Sequence, residues 1–248
     1  MSGHNKWSTI KRQKNAADAK RGKLFTKLVK EISVAAREGG GDPETNPNLR
    51  MAVDKAKEAN MPKENIERAI KKGTGELEGV NYEQHVYEGY GHNGVAILVE
   101  TLTDNSKRTV AEVRHVFSSH DGNLAESGAV AWIFEKKGII LIKQDNADED
   151  EVMMDALEAG AEDIVIEDDS FKIITPFDKF HNVNKALKEK YDIEDAELTR
   201  IPKNTVKADD FAEQLVSLLT DLEDLDDVQK VYSNHEFSEE VLTRLQSD

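Results

Sequence analysis

The sequence predicts an α+β fold, in which an N-terminal three-helix domain is followed by two domains of strands and helices, the third ferredoxin-like and inserted in the second. Apolar residues recur every three or four positions before residue 75, and strand-like runs alternate with helical ones after residue 80. The charge changes at the same point. Residues 1–75 carry 17 Lys or Arg and 9 Asp or Glu, a net of +8, so the rest of this chain of net charge -16 carries -24. We therefore expect domains at 1–75, at 80–136 with 206–248, and at 137–205.

The first predicted helix covers residues 16–38 and has two different faces. Apolar residues such as Leu28 and Ile32 fall at three- and four-residue spacing and indicate the side that packs. At about 100° per residue, the opposite side carries four lysines. These lysines, which we call the lysine face, are Lys20, Lys23, Lys27 and Lys30. The pattern predicts that the lysine face is exposed.

Two further helices complete the predicted N-terminal bundle. Asn46 and Pro47 are typical of a helix N-cap and first helical position, and Pro62 begins the next helix. The run 71–75, Lys-Lys-Gly-Thr-Gly, is typical of a linker. The sequence shows no helix-turn-helix with recognition residues of the usual kind.

The second domain is predicted to alternate strands with one helix. Its elements are strands near 83–88, 95–103 and 130–134, with a helix over 106–117. A helix over 208–222 and a strand over 227–233 are expected to return and complete this sheet.

Between these parts the pattern predicts a complete βαββαβ unit. Its elements are strand 139–143, helix 148–159, strands 163–167 and 171–175, helix 179–190 and strand 196–201. That order is typical of a ferredoxin-like domain.

Composition excludes several classes of protein. No apolar run reaches the roughly 18 residues of a membrane span, so we expect no membrane association. Cysteine is absent, which excludes disulfides and thiolate sites and is consistent with a reducing compartment. The basic start has no apolar core typical of a secretory signal, and we expect a cytoplasmic location.

No motif predicts catalysis, a metal or a cofactor. The run Gly89 to Gly94 matches G-x-G-x-x-G, but a strand-like run follows it instead of a helix, so it indicates a hairpin and not a dinucleotide site. The acidic runs 148–151 and 221–227 lack the spacing of a calcium loop. An enzyme would need a cleft lined by groups such as Glu88, His92 or His115.

The N-terminal arm points to nucleic acid instead. Residues 1–30 hold nine Lys or Arg against one acidic residue, with an aromatic side chain among them. Cations pair with phosphates, and Trp7 is suited either to stacking on an unpaired base or to packing on the bundle. The predicted nucleic-acid-binding residues are Lys6, Trp7, Lys11, Arg12, Lys14, Lys20, Arg21, Lys23, Lys27 and Lys30.

Long motifs resemble one known family. MSGHNKW, DAKRGKLFTKLVKEI, YEGYGHNGVAILVETLTDN and RTVAEVRHVFSSHDGNLAESGAVAWIFEKKG are similar to the YebC/PmpR family, which is related to a mitochondrial translational activator of cytochrome c oxidase. The resemblance implies a cytoplasmic three-domain α+β protein, with a helical N-terminal domain and two ferredoxin-like α/β sandwich domains. It implies either a DNA-binding transcriptional regulator or a ribosome-associated translation factor that contacts ribosomal RNA. We expect no cofactor and a monomer or weak oligomer.

Overall fold

A computed structural model describes residues 18–144, 147–167 and 169–247. The chain divides into two compact units. The first unit comprises the described parts of Met1–Ile133 and Asn204–Asp248, and the second unit is Phe134–Lys203. The predicted boundary near residue 75 falls inside the first unit.

The first unit begins with three helices. They are α1 (Asp18–Gly39), α2 (Pro47–Glu58) and α3 (Lys63–Gly73). As predicted, Asn46 caps α2: its Oδ1 accepts a hydrogen bond from the Leu49 N–H at 3.1 Å, and its Nδ2 donates to the Ala35 carbonyl oxygen at 2.8 Å. The cap therefore fixes the start of α2 against α1. A Cβ at Gly73 would overlap the Ser33 carbonyl oxygen, so α1 and α3 approach closely at that glycine.

A sheet follows the helices in the same unit. Its first elements are β1 (Glu83–Tyr90), β2 (Ala96–Thr103), α4 (Ser106–Ser119) and β3 (Asn123–Leu124). β1 and β2 pair antiparallel from Glu83 opposite Thr103 to Tyr90 opposite Ala96. The glycine-rich run 89–94 closes this hairpin, which confirms the hairpin interpretation.

The second unit is a ferredoxin-like sandwich. Its elements are β4 (Phe134–Lys143), α5 (Glu149–Ala159), β5 (Asp163–Ile166), β6 (Ser170–Pro176), α6 (Phe180–Lys188) and β7 (Ile193–Pro202). The strands are antiparallel in the order β5-β6-β4-β7, which is the order that a βαββαβ chain forms in this fold. The predicted strand at 130–134 is wrong. Residues Ala131–Ile133 form a short helical turn, and β4 runs without interruption from Phe134.

The remaining chain returns to the first unit. Its elements are β8 (Val206–Lys207), α7 (Ala212–Glu223), β9 (Val228–Ser233), β10 (His235–Glu236) and α8 (Glu239–Ser247). β9 pairs antiparallel with β2 and gives the sheet order β3-β1-β2-β9, which confirms that the third domain is inserted in the second. Helix α8 was not predicted; its Val241, Leu242 and Leu245 belong to the same hydrophobic core as the buried residues of α4 and α7. None of the described helices has the length and apolar character needed to span a bilayer.

Candidate nucleic-acid interface

The structure describes the side chains of four of the ten predicted binding residues. Five of them lie outside the described residues: Lys6, Trp7, Lys11, Arg12 and Lys14. For Lys20 the structure describes only the backbone, which lies in α1. The side chains of Arg21, Lys23, Lys27 and Lys30 are described, and Arg21 is exposed.

Lys30 does not lie on an exposed face. Its side chain is buried, and Nζ donates hydrogen bonds to Asp227 Oδ1 at 2.7 Å and to the Asp226 carbonyl oxygen at 2.9 Å. The exposed lysine face is therefore wrong at Lys30. Helical periodicity separates the two sides of α1, but both sides are covered at this turn, one by the helical bundle and the other by the chain entering β9.

Lys23 and Lys27 contact the C-terminal end of α7. Lys27 Nζ donates to the Glu223 carbonyl oxygen at 2.6 Å, and Lys23 Nζ donates to the Asp224 carbonyl oxygen at 3.1 Å. The last carbonyls of a helix have no partner within it and carry its negative partial charge, so ammonium groups stabilise that end. These two lysines thus attach α1 to α7. Their predicted role in nucleic-acid binding stays a prediction.

Asp227 joins four elements of the first unit. Its Oδ1 accepts the hydrogen bond from Lys30, and its Oδ2 accepts hydrogen bonds from Arg108 Nη2 at 2.7 Å, Thr109 Oγ1 at 2.8 Å and Thr103 Oγ1 at 3.0 Å. The residue is 3% exposed, so these groups replace its water. We call this set of five side chains the Asp227 cluster. It connects α1, the end of β2, the start of α4 and the chain before β9.

The electrostatics of the Asp227 cluster favour the ionised carboxylate. Burial on its own would raise the pKa of Asp227, but the hydrogen bonds from Arg108, Lys30 and Thr109 and the charge of Lys30 outweigh it. They hold the pKa of Asp227 well below its usual range. Asp227 and Lys30 therefore form a buried ion pair at neutral pH.

A second group of cations lies on α3. Arg68, Lys71 and Lys72 are exposed at i, i+3 and i+4, on the side of α3 opposite the buried Ile66 and Ala69. Within the described part of the chain, none of these three side chains forms an ion pair. We call these three residues the α3 basic face. This face was not predicted, because the run 71–75 is typical of a linker, whereas α3 continues to Gly73. The periodicity of Ile66, Ala69 and Ile70 was the signal for that continuation.

The three residues that an enzymatic cleft would need, Glu88, His92 and His115, each have different contacts in the structure. The Glu88 carboxylate accepts hydrogen bonds from the backbone N–H groups of Gly128 at 2.7 Å, Val130 at 2.7 Å and Ala131 at 2.8 Å. The His92 ring lies 5.5 Å from the ring of Phe211, and His115 is exposed on α4. Glu88 thus explains why residues 130–133 do not form a strand, since two of the N–H groups that a ladder would need are already bonded.

The acidic runs also have local roles. Asp148 Oδ1 caps α5 by accepting hydrogen bonds from the N–H groups of Asp150 at 3.0 Å and Glu151 at 3.2 Å. Among the described residues, no three His, Asp or Glu side chains are arranged to hold a metal ion.

Comparison with known proteins identifies the family. A model of the TACO1/YebC protein N-terminal domain matches residues 5–76, and a model of the TACO1/YebC second and third domain matches residues 82–235. The chain belongs to the TACO1/YebC family. The two models together cover the helices that carry the lysine face and the α3 basic face, and both four-stranded sheets.

Proteins from other organisms are similar to nearly the whole chain. A probable transcriptional regulatory protein from Dictyoglomus turgidum is 57% identical over 248 residues, which is 99% of this chain and 100% of the relative. Another from Thermotoga maritima is 56% identical over 253 aligned positions, with the same coverage. The crystal structure of a conserved hypothetical protein from Aquifex aeolicus is 48% identical, with a TM-score of 0.80 over 90% of this chain and 93% of that one.

Proposed function

We propose that this protein is a nucleic-acid-binding regulator of gene expression that binds duplex DNA through its helical N-terminal segment. The relatives named as probable transcriptional regulatory proteins support the regulatory role. The observation that carries the proposal is the α3 basic face, three exposed cations without an ion-pair partner among the described residues, in a segment of net charge +8. Exposed cations are suited to phosphates because pairing with them releases condensed counterions.

The connection between α2 and α3 favours duplex DNA. Four residues join the two helices, and Asn60 among them has a φ of 58°, in the left-handed region. Helix-turn-helix proteins also join two helices by a short turn and place the second helix in the major groove. Because α3 lacks recognition residues of the usual kind, we infer that it contacts the duplex through phosphates. The α3 basic face would then contact the phosphates on either side of the groove.

The acidic remainder restricts how the polymer approaches. Residues 76–248 carry a net charge of -24, so they repel phosphates while the helical segment attracts them. Bound DNA therefore contacts the helical segment and stays away from the second unit.

A translation factor that contacts ribosomal RNA is the second candidate. The N-terminal arm favours it, since Lys6, Lys11, Arg12 and Lys14 surround Trp7. A cationic arm with one aromatic side chain is better suited to unstacked bases than to a duplex groove.

Salt-dependent binding tests the α3 basic face directly. The variant Arg68→Ala/Lys71→Ala/Lys72→Ala should weaken binding of a labelled DNA duplex in fluorescence anisotropy, and should reduce the steepness of log K against log salt by about 3, roughly 0.9 for each lost phosphate contact. The matched control removes three exposed cations from the second unit, Lys179→Ala/Lys185→Ala/Lys188→Ala, and should leave the slope unchanged. Equal slopes for the two variants would refute the assignment.

Crosslinking in cells separates the two candidates. Full-length protein would be crosslinked, and both the DNA and the RNA recovered with it would be sequenced. Discrete promoter fragments that are lost in the α3 variant would support the transcriptional regulator. Ribosomal RNA with DNA at background would refute duplex DNA as the ligand and support the translation factor.

A further inference from the structure

Helix α5 of the second unit has an apolar strip on its outer side. Val152 and Ala156 are fully buried and mark the side of α5 that packs inside the second unit. On the other side, Met154 is 61% exposed, Leu157 is 53% exposed and Met153 is exposed as well. At about 100° per residue these three side chains fall within a single arc of roughly 100°. They form one continuous strip, which we call the α5 strip.

Carboxylates surround the α5 strip. Helix α5 contains Glu149, Asp150, Glu151 and Glu158, all exposed, and contains no Lys or Arg. The second unit as a whole has 10 Lys or Arg and 19 Asp or Glu, so its net charge is -9.

One further carboxylate of α5 is already paired. Asp155 accepts hydrogen bonds from Lys190 Nζ and Tyr191 Oη, both at 2.6 Å. The pair with Lys190 leaves the other acidic side chains of α5 as the charges that face outward.

We propose that the α5 strip binds a basic amphipathic helix of a partner protein. The apolar face of such a helix would cover Met153, Met154 and Leu157, and its cations would meet the surrounding carboxylates. Methionine is flexible and polarisable, so a strip with two methionines adapts to the side chains of the incoming helix.

Charge complementarity decides between the possible occupants. A nucleic acid or an anionic lipid surface would be repelled by a unit of net charge -9. The α5 strip of a second copy of the chain carries the same carboxylates and would be repelled in the same way. A helix that is both cationic and apolar satisfies both features of the strip, and this is the occupant that we infer.

Binding of a defined peptide to the full-length protein tests the proposal. The probe is a labelled helical peptide of about 18 Leu and Lys residues with one apolar face, compared with a peptide of the same composition whose order gives no apolar face. At physiological ionic strength the amphipathic peptide should bind at least about tenfold more tightly, because only its apolar face can bury the α5 strip. Equal affinities would overturn the proposal, since charge alone would then explain binding.

Matched variants locate the contact. Met154→Glu/Leu157→Glu should reduce affinity for the amphipathic peptide by about tenfold or more, because it places charges on the apolar strip. The control Leu77→Glu/Val80→Glu changes two exposed apolar residues of the first unit, at 43% and 54% exposure, and adds the same charge. It should change the affinity less than about twofold. Equal losses in the two variants would overturn the assignment to α5.

The mass of the protein in solution tests the second-copy alternative. Light scattering should show the same mass for the unmodified protein and for Met154→Glu/Leu157→Glu. A dimer that this variant dissociates would overturn the proposal and assign the α5 strip to a second copy of the chain.

Discussion

Replacing Asp227 by Asn removes a buried charge but keeps nearly the same shape. In the unmodified protein Oδ1 accepts the hydrogen bond from Lys30 at 2.7 Å, and Oδ2 accepts those from Arg108, Thr109 and Thr103. The Asn side chain has one oxygen for these four donors, and its amide group is itself a donor. Lys30, which is 6% exposed, would then be left without a counter-charge.

The cost follows from the burial of the pair. Removing one partner of a buried ion pair costs about 3–5 kcal/mol, because the other charge stays buried and uncompensated. With an m value of about 2 kcal/mol/M, the urea midpoint of the first unit should fall by roughly 1.5–2.5 M. Lys30→Met should lower the free energy of unfolding by less, about 1–3 kcal/mol, because Asp227 still accepts hydrogen bonds from Arg108 and from two hydroxyl groups.

Urea unfolding followed by circular dichroism measures these differences. Asp224→Asn is the matched control, because the ion pair of Asp224 with Lys23 spans 3.5 Å and both side chains are about half exposed. The control should lose less than about 1 kcal/mol. The reasoning is refuted if Asp227→Asn and Asp224→Asn shift the midpoint equally, or if Lys30→Met costs more than Asp227→Asn.

Acid unfolding provides an independent check on the same residue. The pKa of Asp227 in the folded protein lies below the value of about 3.9 for an unfolded aspartate. Its stabilisation is therefore complete above about pH 4 and is lost as the pH falls toward the folded pKa. Below pH 4 the unmodified protein should lose stability more steeply than Asp227→Asn; parallel curves would contradict the lowered pKa.

Three further predictions concern other parts of the chain. Glu88→Gln should lower the free energy of unfolding by about 2 kcal/mol and change the fluorescence of Trp132, because an NH2 group replaces one of the two carboxylate oxygens that accept hydrogen bonds from three backbone N–H groups. Unchanged emission and an unchanged urea midpoint would contradict this prediction. Gly138→Ala should lower the free energy of unfolding by about 1–3 kcal/mol, measured by thermal unfolding, since the added methyl group would overlap the Phe180 ring. An unchanged Tm would contradict this prediction and show that the ring moves aside without cost. Burial and a hydrogen bond to a carboxylate raise the pKa of Tyr191 to about 12, so its stabilisation is present below about pH 10 and is lost as the pH rises through 12. Tyr191→Phe should remove a late step from the ultraviolet titration, and a titration that keeps this step would contradict the prediction.

The sequence predicts best those elements that a local signal defines. Asn46 and Pro47 mark the start of α2, and the βαββαβ order of the second unit follows from alternating periodicity with short turns. The strand predicted at 130–134 has the right residues for a strand. It is wrong because Glu88, about 40 residues earlier, binds the backbone N–H groups of Val130 and Ala131. No local pattern carries that information.

The lysine face shows the same limit at the candidate site. The positions of Lys23, Lys27 and Lys30 on one side of α1 follow from helical geometry, but their partners lie near residues 223–227, about 200 positions later. The α3 basic face could be predicted in part. Its spacing is local, whereas its exposure depends on how α3 packs against α1.

Charge segregation along the chain therefore differs from charge segregation on the surface. Residues 1–75 have a net charge of +8, yet Lys30 uses its charge in the Asp227 cluster and Lys27 uses its ammonium group to bind the end of α7. The same acidic segment that would repel a polyanion thus holds α1 in place. The cations that remain for the proposed contacts with phosphates are those that no described carboxylate binds, above all Arg68, Lys71 and Lys72. The basic segment consequently uses part of its charge to attach α1 inside the protein, and the nucleic-acid binding that we propose depends on the cations that remain; only the structure separates these two sets of residues.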